Sequence, residues 1–561
     1  MEERDYKAGA SLKLHPGNCE HKKVVMVKID GIELDDFYAV KRPYNGSAET
    51  GGDPLVQDLN VWYHTGDIAF VITSTAMMLL MIPGIGLFYS GLARRKSALS
   101  LMFLSILSLA VTTVQWFVWG YSLSFSRTAN AFIGDLSNAG LQNVLARPSI
   151  GRERIPDLLF AVYEGMLSSL TVALAVGAAA ERGRVLPAIV FMFVWATLVY
   201  DPIACWTWNP AGWSFRMGGL DYAGGTPVHI ASGAAALAYS MMLGPRRGHG
   251  THELNFRPHN VAHIVIGTVF LWFGWFGFNA GSTLAASLRA VVAVVVTHLT
   301  ACIGGLTWCL MDYRVERKWS AVGFCSGVVA GLVAITPGSG YVSVWAAIPF
   351  GILGASSANL ATRLKFTLGI DDALDIFAVH GVAGFVGNIC TGIFAVNPVV
   401  ALDGPSASST GDGFAGGWID GHWVQIAYQL AGSFAGLAYS FIVSCAILAA
   451  LDRIPGCRLR ATEEDEVVGM DAAEMGEFAY DYVALSRELL LLPGEGDGGS
   501  DGTVGTATGA GAAFSRPSTM AARHSRWLSG GRESVQVDDG EPPMKPTTAR
   551  LGSDSSIVGR Y

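Results

Sequence analysis

The chain has 561 residues, 51% of them hydrophobic and only 15% charged, with a formal net charge of −8. A soluble domain averages about 25% charged residues, so this composition excludes an ordinary soluble enzyme and points to a polytopic membrane protein. Much of the acidity lies in the termini, so the net charge says nothing about partners, and no nucleic-acid interaction is expected.

Residues 1–43 are mixed and charged and contain no apolar stretch of the signal-peptide kind. Residues 1–60 read as an extracellular N-terminal segment, and Asn45-Gly46-Ser47 within it is a glycosylation sequon, a weak signal by itself. A membrane span needs about 20 predominantly apolar residues, and roughly eleven segments qualify. They begin near Asp67, Ala98, Asp157, Val185, Gly225, Pro258, Leu288, Ser320, Val342, Ile376 and Trp423 and define a transmembrane domain over 61–455. Several are rich in Gly and Ala, as in GLFYSG, ALAVGAAA and GNICTG, and small residues let helix backbones approach closely in lipid.

Lys and Arg follow the first, third, fifth, seventh, ninth and eleventh spans, at ARRK (93–96), ERGR (181–184), GPRRGH (244–249), DYRVERK (312–318), TRLK (362–365) and LDRIPGCRLR (451–460). The positive-inside rule then places the C-terminus in the cytoplasm and the N-terminus outside, with Arg147, Arg152 and Arg154 mildly against the trend. Residues 456–490 read as an ordered cytoplasmic region and 491–561 as a disordered tail, with GEGDGGSDGTVGTATGAGAA (494–513) of low complexity. Within the tail, Arg523-His524-Ser525 and Arg526-Trp527-Leu528-Ser529 look like sites for a basophilic kinase, or like solvated tail. The eight cysteines show no paired spacing, so neither a disulfide framework nor a zinc site is expected.

One string occurs twice. Asp221-x6-Val228-His229-x3-Gly233 in the fifth span matches Asp372-x6-Val379-His380-x3-Gly384 in the tenth. Five spans per repeat give the two halves opposite topology, the pattern of an inverted-repeat transporter whose site lies near the midplane. The eleventh span falls outside the repeat. The fold class expected is therefore all-α and polytopic, an inverted 5+5 repeat plus one extra helix, with a central pore in each subunit.

Ionisable residues inside a membrane are functional candidates by default. A two-fold axis in the membrane plane would bring His229 and His380 to equivalent depths, where they could meet. Two neutral imidazoles in contact share one N–H and offer both a donor and an acceptor to a small permeant, as well as a proton relay near neutrality. Trp206 and Trp208, in CWTWNPAGW (205–213), are interfacial anchors or a cation platform. Phe278 and Ser282 lie one helical turn apart in FGWFGFNAGS (273–282), with Ser282 a packing residue or a hydrogen-bond acceptor. Asp221 either braces the start of the fifth helix or lowers the energy of a cation at its mouth.

These motifs jointly resemble the ammonium transporter family. DYAGGTPVHIASGAAAL, GLFYSGLARRKSALS (86–100), AAAERGR (178–184), GWFGFNAGS (274–282), FAVHGVAGFVGNICTGIFA (377–395) and EMGEFAYDY (474–482) carry the resemblance, which covers roughly 44–485. NGSAETGGD (45–53), DLN (58–60) and the WNPAGW loop look most like the fungal Mep permeases. The resemblance implies a multi-pass plasma-membrane homotrimer that carries ammonium and methylammonium, without cofactor, metal or enzymatic activity. By motif it assigns the external ammonium site to Trp208 and Ser282, the lower pore phenylalanine to Phe278, the twin histidines to His229 and His380, and the structural acid to Asp221, with Asp372 its repeat counterpart. Retention of His229 resembles the high-affinity branch, some of whose members also signal ammonium availability, so the alternative is a low-flux sensor. Two positions depart from the pattern in VYEGMLSSL (162–170): Leu167 stands where Phe is usual and Glu164 where Gln is usual, both at the expected substrate site.

Overall fold

The computed structural model describes residues 51–55, 58–249, 251, 257–403 and 414–480. Asn45, the kinase-like tail motifs and residues 491–561 lie outside the described residues. The chain divides into two units, residues 1–479 and 480–561, and everything that follows concerns the first.

Eleven helical segments stand where the apolar segments predict them. They are α1 (Thr65–Leu92), α2 (Arg95–Phe125), α3 (Asp157–Ala179), α4 (Val185–Met217), α5 (225–243), α6 (Val261–Gly281), α7 (Leu288–Glu316), α8 (Ala321–Ile335), α9 (Val344–Leu368), α10 (Phe377–Phe394) and α11 (Gln425–Leu451). Nine of these are long and apolar enough to cross a membrane; α8 is apolar but shorter, and α5 is diluted by Thr226, Pro227 and His229. No strand forms among the described residues, only isolated bridges. In hydrocarbon the backbone must satisfy its own hydrogen bonds, and helices do so locally.

Burial ranks the helices. The most apolar window of α3 is 83% buried and that of α4 67%, whereas that of α11 is 33% buried. Thus α3 and α4 are interior elements and α11, the helix outside the repeat, lies at the rim. A single large apolar cluster runs through the bundle, with a satellite of Val296, Ile335, Val342, Phe350 and Cys390 between α7, α8, α9 and α10. Where α7 and α8 cross, a Cβ on Gly304 would lie 2.4 Å from the Gly327 carbonyl oxygen, so only glycine permits that approach.

Four spans contain a turn of π-helix: Trp116–Gly120 in α2, Ala196–Tyr200 in α4, Gly225–Ile230 in α5 and Phe377–Val382 in α10. Such turns are rare and concentrate at functional sites. The last two occupy equivalent positions of the repeat, and each contains its histidine.

The arginine-rich end of the bundle is tied by buried ion pairs. Arg246 makes a bidentate pair with Asp371 (Nε to Oδ2 2.7 Å, Nη2 to Oδ1 2.8 Å) and also reaches Glu181 at 3.2 Å. Glu181 accepts from both the backbone N–H and Nε of Arg94, each at 2.6 Å. Burial would raise the Glu181 and Asp371 carboxyls, but the neighbouring guanidiniums outweigh it and hold both below the usual range. The fully buried Arg182 donates to the carbonyls of Ala180, Gly244 and Asp371, joining loops from both halves.

Residues 452–480 dock on this same end. A short helix, α12 (Glu463–Val468), opens with a capping box between Thr462 and Asp465. Asp471 accepts from the N–H groups of Leu99 and Ser100 at the start of α2, and Glu474 accepts from Val185 N–H and Arg184 Nε at the start of α4. Each carboxylate thereby satisfies unpaired N–H groups at a helix N-terminus, where negative charge is also favoured by the helix dipole.

Candidate pore site

The site is built on the two π turns. Asp221 accepts from Gly224 N–H at 2.8 Å, Gly225 N–H at 2.7 Å and Thr226 N–H at 2.6 Å, so its carboxylate closes the free N–H groups that open α5. Gly224, at φ 118°, supplies the left-handed turn that aims these groups at it. Asp372 plays the related part for α10, with Oδ2 accepting from Phe377 N–H at 2.8 Å. These hydrogen bonds are the bracing geometry expected of Asp221 at the start of α5.

His229 and His380 meet, with Nδ1 to Nδ1 at 3.3 Å. The contact exists because the repeat glycines interlock reciprocally. A Cβ on Gly233 of α5 would strike the Gly381 N–H nitrogen at 2.4 Å; one on Gly384 of α10 would meet His229 Cβ at 3.0 Å. Each histidine helix thus packs its glycine on the other's histidine turn. Two neutral rings sharing one N–H through Nδ1 present one N–H and one lone pair at their Nε2 atoms. His229 is wholly buried and its Nε2 has no hydrogen-bond partner among the described residues.

Around the pair, His229 stacks on Trp275 (ring centroids 5.4 Å apart, planes at 19°) and Phe278 closes on it at 6.1 Å. Trp275 is locked by its Nε1 donating to Thr336 Oγ1. Asn388 of α10 donates to Thr226 Oγ1 and Ser433 Oγ, tying α5, α10 and α11 together beside the site.

One turn along α6, Ser282 Oγ lies 2.9 Å from the Phe278 carbonyl and 3.1 Å from the Tyr163 hydroxyl, which itself donates to the same carbonyl at 2.6 Å. Two hydroxyl hydrogens serve three contacts, so the cluster keeps a lone pair to offer a cationic N–H donor. Trp208 donates Nε1 to the Asp221 carbonyl, and its ring lies over Gly224 at the mouth of α5. Trp206 instead turns away, bonding Phe132 O and packing on Trp213 and Tyr439. Leu167 is buried one turn beyond Tyr163 on α3. Glu164 is also buried, with Oε2 unpartnered.

Tyr163 and Trp275 belong to this constellation and were not singled out from sequence. Tyr163 stands inside VYEGMLSSL and could have been found there; Trp275 reads as one more aromatic in an apolar helix. Among the described residues, no group of three or more His, Cys, Asp or Glu side chains is placed to hold a metal ion.

Two inverted sets of five helices, with ionisable side chains meeting between them, define a multi-pass membrane transporter fold. The comparisons with known proteins agree. The model of the Ammonium Transporter Family matches residues 69–480. Ammonium transporter 1 of Schizosaccharomyces pombe is 56% identical over 436 residues, covering 78% of this chain and 86% of that protein. Ammonium transporter MEP2 of Saccharomyces cerevisiae is 47% identical, covering 77% and 87%. The crystal structure of Candida albicans Mep2 aligns with a TM-score of 0.70 at 48% identity, covering 74% of this chain and 90% of that one. The chain belongs to the ammonium transporter family.

Proposed function

We propose that the protein takes up ammonium by binding the cation at the Ser282–Tyr163–Trp208 end of the path, deprotonating it, and conducting ammonia past His229 and His380. The observation that carries this reading is the 3.3 Å contact between two buried imidazoles. A charge at the bilayer centre costs from ~3 to ~17 kcal/mol, a cost that neutral ammonia avoids. An amine resembling the lysine head group titrates near ~10.4, so losing its proton at pH 7 costs roughly 4–5 kcal/mol. Desolvation lowers the pKa of a buried amine by up to ~3–5 units, enough to offset that cost. Sodium and potassium ions have no proton to give, which yields selectivity without a size filter. The proton returns outside or follows along the histidine pair, and only the second route is electrogenic.

The decisive variant is His380→Ala. It abolishes ammonium uptake or makes the protein leak potassium; normal, selective uptake by that variant rejects the paired-imidazole mechanism. Charge measurement on the reconstituted protein decides between the two proton routes. The resemblance also supports further proposals: a homotrimer in the plasma membrane, N-terminus outside and C-terminus inside, glycosylated at Asn45, carrying methylammonium as well, with the tail open to a kinase.

A further inference from the structure

Beside the outer end of the path lies a cluster of buried polar groups that helix packing does not account for. The π turns of α2 and α4 bring Trp116 and Tyr200 together beside the stretch of α3 that carries Glu164, with Gln115 and Asp201 flanking those turns. Trp116 packs edge-on to Tyr200 at 6.2 Å and against Gly165, and donates its indole N–H to the Ala161 carbonyl at 2.8 Å. Gln115 Nε2 donates to Asp201 Oδ2 at 2.8 Å. On these elements four buried atoms, Gln115 Oε1, Glu164 Oε2, Ser168 Oγ and Tyr200 Oη, have no hydrogen-bond partner among the described residues. Buried polar atoms in native proteins are nearly always paired, so a local concentration of orphans needs an explanation.

Glu164 is the chemical centre of the cluster. It is 7% exposed and no basic side chain pairs with it among the described residues. The titratable groups that face it are the Tyr200 phenol of α4 and the Tyr163 phenol of its own helix, with Asp201 beyond on α4. From α2 the neutral Trp116 packs on this stretch of α3. A lone carboxylate at membrane depth is costly unless it acquires a proton or a cation. Glu164 follows Tyr163 on α3, and Tyr163 bonds directly to Ser282 and to the Phe278 carbonyl, so the carboxylate is carried on the same helical turn as one hydroxyl of the proposed cation site. The Gln usual at this position in the family could receive no proton there.

We propose that Glu164 accepts the proton that ammonium gives up before ammonia enters the pore. The inference rests on the deprotonation reading above. One N–H bond of ammonium breaks, its electron pair stays on nitrogen, and an O–H bond forms on the carboxylate. Cation and carboxylate become ammonia and carboxylic acid, so one transfer removes both charges from a poorly solvated space. When ammonia has moved on, the acid releases its proton to outside water and the carboxylate is restored.

The test is Glu164→Gln, which keeps shape and removes the base, with Glu164→Asp as the conservative rescue. Methylammonium uptake is measured against external pH and expressed per amount of protein in isolated plasma membranes. General-base catalysis contributes about 10²–10⁴-fold, so Glu164→Gln lowers the maximal rate about 100-fold and Glu164→Asp restores part of it. The wild-type rate falls on the acid side, where Glu164 is already protonated; the residual rate of Glu164→Gln lacks that limb. A wild-type maximal rate and acid limb in Glu164→Gln overturn the proposal. So does a raised half-saturation with both unchanged, because the carboxylate would then only attract the cation. If wild type transports and His380→Ala does not, a normal Glu164→Gln removes this inference alone; if wild type fails to transport, the underlying reading falls.

Discussion

Replacing Gly233 by alanine tests whether close packing of the two histidine helices is what makes the pore. The added Cβ would lie 2.4 Å from the Gly381 nitrogen and 2.6 Å from its Cα, where ordinary contact begins at 3.4 Å. The obstacle is backbone and cannot rotate away, so α5 and α10 must part by about 1 Å, a form of overpacking that costs typically ~1–3 kcal/mol. The histidine Nδ1 atoms now stand at 3.3 Å. A parting of that size carries them to about 4.3 Å, outside hydrogen-bond reach. The repeat-related Gly384→Ala meets His229 Cβ at 3.0 Å, a shortfall of only a few tenths of an ångström. Gly233→Ala is therefore expected to cut methylammonium uptake at least tenfold in cells lacking other ammonium transporters, with the protein still reaching the membrane. Gly384→Ala is expected to be clearly milder. Wild-type uptake by Gly233→Ala, or a larger loss with Gly384→Ala, refutes the reasoning.

Three further outcomes follow from other parts of the structure. Leu167→Phe adds an aromatic face near the proposed cation site; a cation–π contact of about 0.5–2 kcal/mol tightens half-saturation for methylammonium roughly 2- to 30-fold, and an unchanged value shows the ring to be unimportant. Arg246→Ala strips the buried Asp371 of its bidentate partner and Glu181 of one of its two arginines and lowers stability by about 3–5 kcal/mol, measured as a drop in thermal midpoint in detergent. Both carboxyls are held below their unfolded pKa. Their stabilisation is thus present at neutral pH, begins to fade below about pH 4–5 and is lost as pH falls through the depressed folded values. The wild-type thermal midpoint should be flat from neutrality to about pH 5 and drop below it. A flat midpoint down to pH 3 would remove these pairs as a source of stability.

The number and position of the membrane helices, the doubled Asp…His…Gly string and the odd repeat of five are all legible in the sequence, because span length and spacing are local properties of the chain. So is the equivalent depth of His229 and His380, once opposite topology is granted; that the two rings touch is decided by the packing of the glycines between their helices. The reciprocal seating of Gly233 and Gly384 follows from the same symmetry, although the ångström values do not.

Other features were decided only by the tertiary structure. Nothing in the local residue pattern marks the four π turns, which arise where helices must tilt side chains to fit their neighbours. Trp206 and Trp208 share a motif and a periodicity, yet one packs on Phe132 and Tyr439 and the other lies over Gly224. Asp471 caps a helix that begins some 370 residues earlier in the chain, a partnership no spacing rule reveals. The isolation of Glu164 is likewise a tertiary fact: a carboxylate in an apolar run is visible at once, but whether a cation comes to meet it depends on side chains from three separate helices. Periodicity along one helix states which residues share a face; which face of which other helix lies opposite is settled by packing, and with it the chemistry.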